Sequence, residues 1–315
     1  MLRQICNTAS PSIALDPDRQ LVCNTSYALP AFLPGCKAPH DDTGQRLQMT
    51  TRNDALTPVI WSLNERGVAE VVLNRAQVGN AYDGEMIDGL HRAMDDLGHR
   101  SSLRVVVLKG VGRHFQAGAD LKWLNEVRTG SHIENVAASQ ATADAVDRLN
   151  RLPVPTVALV QGFCIGGGTG MIAACDVVIA ADDAQFAISE VRWGLTAAII
   201  IPQLVDAIGV RQLRRYALTG ERFGAYEAEH IGLVHSVVPA GDLARKGDEI
   251  VAALLAVGPR ALAETKAHIL DLSTARRADL AALIEAHALK RQSDEAAEGL
   301  ASFADKRDAR WNLKA

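Results

Sequence analysis

The chain has 315 residues, of which 48% are hydrophobic and 22% charged, with a formal net charge of -4. That composition fits a globular protein with a buried core and excludes a low-complexity or collagen-like chain. The acidic balance offers no global attraction to nucleic acid, and no apolar run approaches the roughly 18 residues of a membrane span. The cysteines, Cys6, Cys23, Cys36, Cys164 and Cys175, are odd in number and fit neither metal-site nor disulfide spacing. They read as reduced thiols of a cytoplasmic protein, and the N-terminus lacks the basic start and apolar stretch of a secretory signal.

Residues 1–55 carry Pro11, Pro17, Pro30, Pro34 and Pro39 and no sustained hydrophobic period. Such a segment buries too little apolar surface to offset its ordering entropy. It is expected to be a disordered extension, or a misassigned start with Met49 as the true initiator. Two short strands follow, Val59–Leu63 and Val68–Leu73, joined by a hairpin-like turn over 64–67. Met86, Ile87, Leu90, Met94 and Leu97 mark one face of a helix. The β-branched run Val105, Val106 and Val107 predicts a buried strand. Ala143, Val146, Leu149 and Leu152 mark a second helix face, stopped by Pro153 and Pro155. Residues 156–161 and Val177–Ala181 read as further strands, so the core over 56–253 is α/β layered. From 254 to 315 the pattern is helical only. Pro259 suits a helix start, and 261–270 and 278–289 look amphipathic. This region is expected to pack on another surface, such as a second subunit.

Two glycine-bearing loops follow predicted strands. One is Gln116-Ala117-Gly118-Ala119-Asp120-Leu121-Lys122. The other runs from Gln161 through Gly162 to Gly166-Gly167-Gly168 and into an apolar helix, Met171 to Cys175. Glycines there let a backbone approach a ligand closely, and amides at a helix start carry the positive end of its dipole. Two amides converging from two loops could bind a thioester oxygen as it becomes an enolate. Tight packing alone is the competing explanation. The triplet lacks the spacing of a dinucleotide-binding fingerprint and the Gly-Lys-Ser/Thr of a P-loop.

With these loops, the segments 104–120, 153–176 and Ala184-Gln-Phe-Ala-Ile-Ser-Glu190 resemble the crotonase, or enoyl-CoA hydratase/isomerase, superfamily. So do Leu218-Thr-Gly-Glu-Arg-Phe and Ala228-Glu-His-Ile-Gly-Leu-Val234. The resemblance runs from about Pro58 to Lys306-Arg307. It implies a spiral of ββα turns with an α-helical C-terminal region used for trimerisation, and trimers that pair into hexamers. It implies an acyl-CoA thioester as substrate, with coenzyme A part of the substrate and no separate cofactor or metal. It assigns the oxyanion-hole amides to Ala119 and Gly167. Ala117, Asp120 and Leu121 would line the coenzyme A groove, and Lys306 would contact a phosphate, of this chain's coenzyme A or of one in a neighbouring subunit, with a solvated lysine as the alternative.

Relatives that hydrate commonly use two glutamates. The first position here is Gly170, and the second is Glu190. A carboxylate in the apolar stretch around Phe186-Ala-Ile-Ser-Glu-Val191 should be desolvated, which raises its pKa toward useful acid/base values. After Gly194 the chain carries Leu-Thr-Ala-Ala-Ile-Ile-Ile in place of further glycines, which should reshape the acyl site. Ser189-Glu-Val-Arg192 and Arg211 to Tyr216 resemble a bacterial subgroup assigned to branched-chain acyl-CoA catabolism, including 3-methylglutaconyl-CoA hydration. Three readings stand: a hydratase first, a Δ3,Δ2-enoyl-CoA isomerase using one glutamate second, and an acyl-CoA-binding homologue with little turnover third.

Arg192 could meet a distal substrate carboxylate, although a structural salt bridge is the favoured expectation. Arg211, Arg214 and Arg215 read as a solvated helix face. His114, His230 and His235 lack metal-like spacing and read as structural, and Cys164 and Cys175 as buried small hydrophobes.

Overall fold

The computed structural model describes residues 57–274 and 280–310. The expectation for residues 1–55 lies outside the described residues. Strands β1 (Val59–Leu63) and β2 (Val68–Leu73) form an antiparallel hairpin, and Asn64 closes its turn by accepting from the Arg66 and Val68 amides. Helix α1 (Gly84–Gly98) is capped by Asp83, whose carboxylate accepts from the Met86 amide at 3.0 Å. All five apolar positions read from the sequence are buried on its inner face. The run of valines forms β3 (Val105–Gly110), which pairs in parallel with β2.

Helices α2 (Leu121–Thr129) and α3 (His132–Asn150) follow, the latter opened by a reciprocal Ser131–Glu134 capping box. α3 ends at Asn150, so Leu152 packs into the core from beyond the helix. Then come β4 (Thr156–Val160), β5 (Phe163–Ile165), α4 (Gly167–Ala173), β6 (Val177–Ala181) and β7 (Gln185–Ala187). Helix α5 (Ile201–Thr219) is kinked at Gly209. It is followed by β8 (Phe223–Gly224), α6 (Ala225–His230), β9 (Ser236–Val238) and α7 (Leu243–Leu255).

The main sheet has the order β1-β2-β3-β4-β6-β9 and is parallel apart from the β1–β2 hairpin. A second sheet, β5-β7-β8, stands beside it. Both faces of the parallel strands are covered, which explains their continuous apolar sequences. One face meets α1, α3 and the α4–α5 region, and the other meets α7 through Val105, Val107, Val157, Ile179 and Val251. Each such fully buried aliphatic side chain contributes about 1.5–3 kcal/mol of transfer free energy.

The final helices are α8 (Pro259–Thr274), α9 (Leu280–Arg291) and α10 (Asp294–Ala304). Pro259 does begin α8. α9 and α10 each pack one face on their own chain. α9 lies on α3 and on a 3-10 turn, Ala198–Ile200, and α10 lies on a second 3-10 turn, Glu190–Trp193. Among the described residues no helix is long and apolar enough to cross a membrane, and no cluster of His, Cys, Asp and Glu could hold a metal.

Candidate active site

The two glycine-bearing loops are stitched together by hydrogen bonds. Gln116 donates its amide to Phe163 O, and Ile165 donates back to Gln116 O, both at 2.9 Å. The Gln116 side chain, fully buried, bonds Gly118 at both its N–H and its carbonyl, at 2.9 and 3.0 Å. It leaves no room beside Gly168, where a Cβ would lie 2.5 Å from its Oε1. Tyr82 adds a third strand-like segment. Its N–H donates to Gly118 O, its carbonyl accepts from the Asp120 amide, and its ring covers Gly167.

Among the amides this lattice leaves without an acceptor are those of Ala119 and Gly167. Ala119 N–H sits between the paired residues 118 and 120, and Gly167 N–H is the first of α4, where no intrahelical acceptor exists. Neither donates to an acceptor among the described residues. Both residues line one cavity of about 530 Å³.

Glu190 faces the same cavity from the first residue of its 3-10 turn. Gly166, at φ +55° and ψ -122°, adopts a backbone that residues with a Cβ rarely tolerate. A Cβ there would meet Glu190 Oε1 at 3.0 Å, so the carboxyl rests directly against the start of α4. Glu190 Oε2 is buried with no hydrogen-bond partner among the described residues. Burial pushes the carboxyl up to about 7, which suits proton transfer in either direction near neutral pH. Tyr82 is held protonated by burial, with its phenol pushed up to about 12.

The place of a second carboxylate is occupied. A Cβ on Gly170 would lie 2.2 Å from Ile200 Cγ2 and 2.5 Å from Ile200 Cβ. Ile200 is buried and lines the cavity, so the bulky run after Gly194 fills the volume beside Gly170 with hydrocarbon.

Ala117, Asp120 and Leu121 also line the cavity. The Asp120 carboxylate is already engaged. It caps α2 at the Lys122 and Trp123 amides and pairs with Arg75 at 3.2 Å. Lys306, exposed with φ +53°, is not brought to the cavity, although Phe303 one turn earlier is. Arg192 is exposed at the cavity, and no carboxylate pairs with it among the described residues, contrary to the expected salt bridge. Arg215 pairs with Glu221 and Glu227, and Arg211 and Arg214 are exposed. His114 Nδ1 accepts from Phe163 N and stacks on its ring, and His235 Nδ1 accepts from Val178 N. Both are structural. Cys164 and Cys175 are buried free thiols. Sequence reasoning missed Tyr82, which lies outside the glycine loops, and His287, which reaches the cavity from α9.

Residues 64–314 match the family described as enoyl-CoA hydratase/isomerase. The chain belongs to the enoyl-CoA hydratase/isomerase family. A crystal structure of an enoyl-CoA hydratase from Shewanella pealeana superposes with a TM-score of 0.67 at 34% identity, covering 81% of this chain and 96% of that one. The hydroxycinnamoyl-CoA hydratase-lyase of Pseudomonas fluorescens is 35% identical over 64% of this chain and 74% of its own. The mitochondrial Delta(3,5)-Delta(2,4)-dienoyl-CoA isomerase of Dictyostelium discoideum is 31% identical over 76% of this chain and 86% of its own. The fold is therefore the crotonase fold, as the resemblance implied. Family membership implies an acyl-CoA thioester substrate and leaves several reactions within reach.

Proposed function

We propose that this family member is an enoyl-CoA hydratase acting on a short or branched 2-enoyl-CoA, with 3-methylglutaconyl-CoA the leading candidate. The observation that supports this best is the free, buried Oε2 of Glu190 in the cavity that also receives the unpaired amides of Ala119 and Gly167. Glu190 takes a proton from water as its oxygen bonds to the β-carbon. The double-bond electron pair moves onto the thioester oxygen, where the two amides hold the enolate. The enolate then collapses, and Glu190 returns the proton to the α-carbon. Ala117 and Leu121 line the approach of the coenzyme A arm, and the homotrimer or homohexamer implied by the family resemblance is part of the same proposal.

The Ile200 packing at Gly170 favours a second reading, Δ3,Δ2 isomerisation. One carboxyl that removes a proton from one carbon and returns it to another needs no water and no second acid.

Incubation with crotonyl-CoA, 3-methylglutaconyl-CoA and a 3-enoyl-CoA, followed by mass measurement of the product, separates them. A product heavier by one water is the expected result with a 2-enoyl-CoA. An unchanged mass with a shifted double bond, from the 3-enoyl-CoA only, replaces hydratase with isomerase. No product from any of them at high enzyme loading rejects both.

A further inference from the structure

Arg291 closes α9, and only 2% of its surface is exposed. Its Nη1 donates to Asn135 Oδ1 at 2.9 Å, and its Nη2 donates to Ser139 Oγ at 3.2 Å and His287 Nδ1 at 3.1 Å. The guanidinium also lies over the Trp123 ring, 5.8 Å from its centroid. Its Nε is buried and has no partner. Every one of these neighbours is uncharged, and no carboxylate pairs with Arg291 among the described residues. A charge removed from water is ordinarily matched by an opposite charge, because neutral dipoles offset only part of the lost hydration. Glu190 forms no ion pair with Arg291 among the described residues, and its buried Oε2 has no hydrogen-bond partner there.

His287, one turn before Arg291, is the link to the cavity. His287 Nδ1 lies 3.0 Å from Ser139 Oγ and 3.1 Å from Arg291 Nη2, and because an arginine can only donate, the Arg291 hydrogen bond assigns Nδ1 as the unprotonated nitrogen. Burial and the adjacent Arg291 charge push His287 down to about 3, so the ring stays neutral. Its proton is therefore on Nε2, which has no partner among the described residues, and the residue lines the cavity. A buried cation thus polarises an N–H that is free in the acyl-CoA cavity.

We infer that His287 and Arg291 form the anionic end of the acyl site and select acyl-CoA thioesters whose chain carries a carboxylate at its far end. His287 Nε2–H donates to that carboxylate, and Arg291 acts as the positioning residue whose charge compensates it through the ring. The exposed Arg192 has water to solvate it and needs no such partner. This inference rests on the acyl-CoA reading and is independent of whether the reaction is hydration or isomerisation.

The test is equilibrium binding by calorimetry, with glutaryl-CoA against its terminal carboxamide and hexanoyl-CoA. The wild type is expected to bind glutaryl-CoA about tenfold or more tightly than either neutral probe. In Arg291→Met and His287→Leu that ratio is expected to fall to about one, while Arg291→Lys and His287→Gln, which keep a cation and a donor, retain part of it. If the Arg291→Met protein does not fold, His287→Leu and the wild-type ratio still decide. A wild type that binds the neutral probes as well as glutaryl-CoA overturns the inference, as does a preference abolished by Arg192→Met and untouched at His287 and Arg291. Failure to bind any acyl-CoA rejects the acyl-CoA reading itself, whereas binding without selectivity rejects this inference alone.

Discussion

At the scale of single residues, Glu190 determines both what the site can do and what it costs. As a general base it is active when ionised, so kcat/KM is expected to rise with pH through about 7, and Glu190→Gln is expected to lower kcat by about 10²–10⁴-fold. Steady-state rates with the preferred substrate from pH 5.5 to 8.5 check both. The raised pKa acts with the opposite sign on stability. A carboxyl raised in the folded state contributes fully below its unfolded value near 4.5, and that contribution is lost as pH climbs through about 7. A tenfold bias in a protonation equilibrium is worth about 1.4 kcal/mol, so ionising this buried carboxyl costs on the order of 3 kcal/mol. Glu190→Gln should therefore unfold at higher denaturant than the wild type at pH 8 and not at pH 4.5. Gly170 raises a packing question of the same scale. Gly170→Ala is expected to destabilise by about 1–3 kcal/mol through overpacking against Ile200. Denaturant melts of Gly170→Ala, Ile200→Ala and the pair should show a favourable coupling of about 1 kcal/mol or more, since the smaller residue 200 makes room.

At the scale of elements, the 3-10 turn bearing Glu190 depends on α10. Trp193 of that turn packs edge-on against Phe303, with ring centroids 4.4 Å apart. Gly299 of α10 lies so close that a Cβ would sit 2.3 Å from Trp193 O. Because the clash is with backbone, Gly299→Ala must displace either the helix or the turn. It is expected to lower kcat about tenfold or more and to destabilise by about 1–3 kcal/mol. Activity assays beside thermal melts would check this, and unchanged kinetics would show that the turn holds Glu190 without α10. The elements themselves were largely legible in the chain. The β1–β2 hairpin, the α1 face, the valine strand β3 and the start of α8 at Pro259 all follow from local patterns, because hydrophobic period and turn chemistry act over a few residues. Leu152 is instructive in the other direction. It continues the apolar period of α3, yet the helix stops at Asn150 and Leu152 is buried from the loop. Periodicity reports burial, and the prolines at 153 and 155 decide where the helix stops.

At the scale of the whole molecule, the C-terminal helices are tied to the sheet by a polar link. Lys266 of α8, 7% exposed, donates to Asp176 Oδ2 at 2.7 Å and to Val154 O at 3.1 Å. The same Asp176 oxygen accepts from the amide and hydroxyl of Thr156 at the start of β4. Lys266→Met removes a buried ammonium and its two bonds but leaves the Asp176 carboxylate, which is 30% exposed, bonded to Thr156, and is expected to destabilise by about 0.5–1.5 kcal/mol. Chemical denaturation should show this as a lower midpoint, with little change in kcat because none of the linked residues lines the cavity.

By itself, the sequence determined the family, the α/β order of elements, the two loops that supply free amides, and the single carboxylate Glu190 with a glycine at 170. These are properties of contiguous motifs, whose spacing along the chain is enough to state their chemistry. Only the tertiary structure decided what surrounds that carboxylate. Ile200 fills the space at Gly170, Tyr82 covers Gly167, and α9 brings His287 to the cavity wall with the buried Arg291 bonded behind it. His287 and Asn135 lie 152 residues apart on helices that share one buried polar cluster. No local pattern records such a meeting, because burial and charge compensation are set by which segments pack together, and that depends on the whole chain being folded.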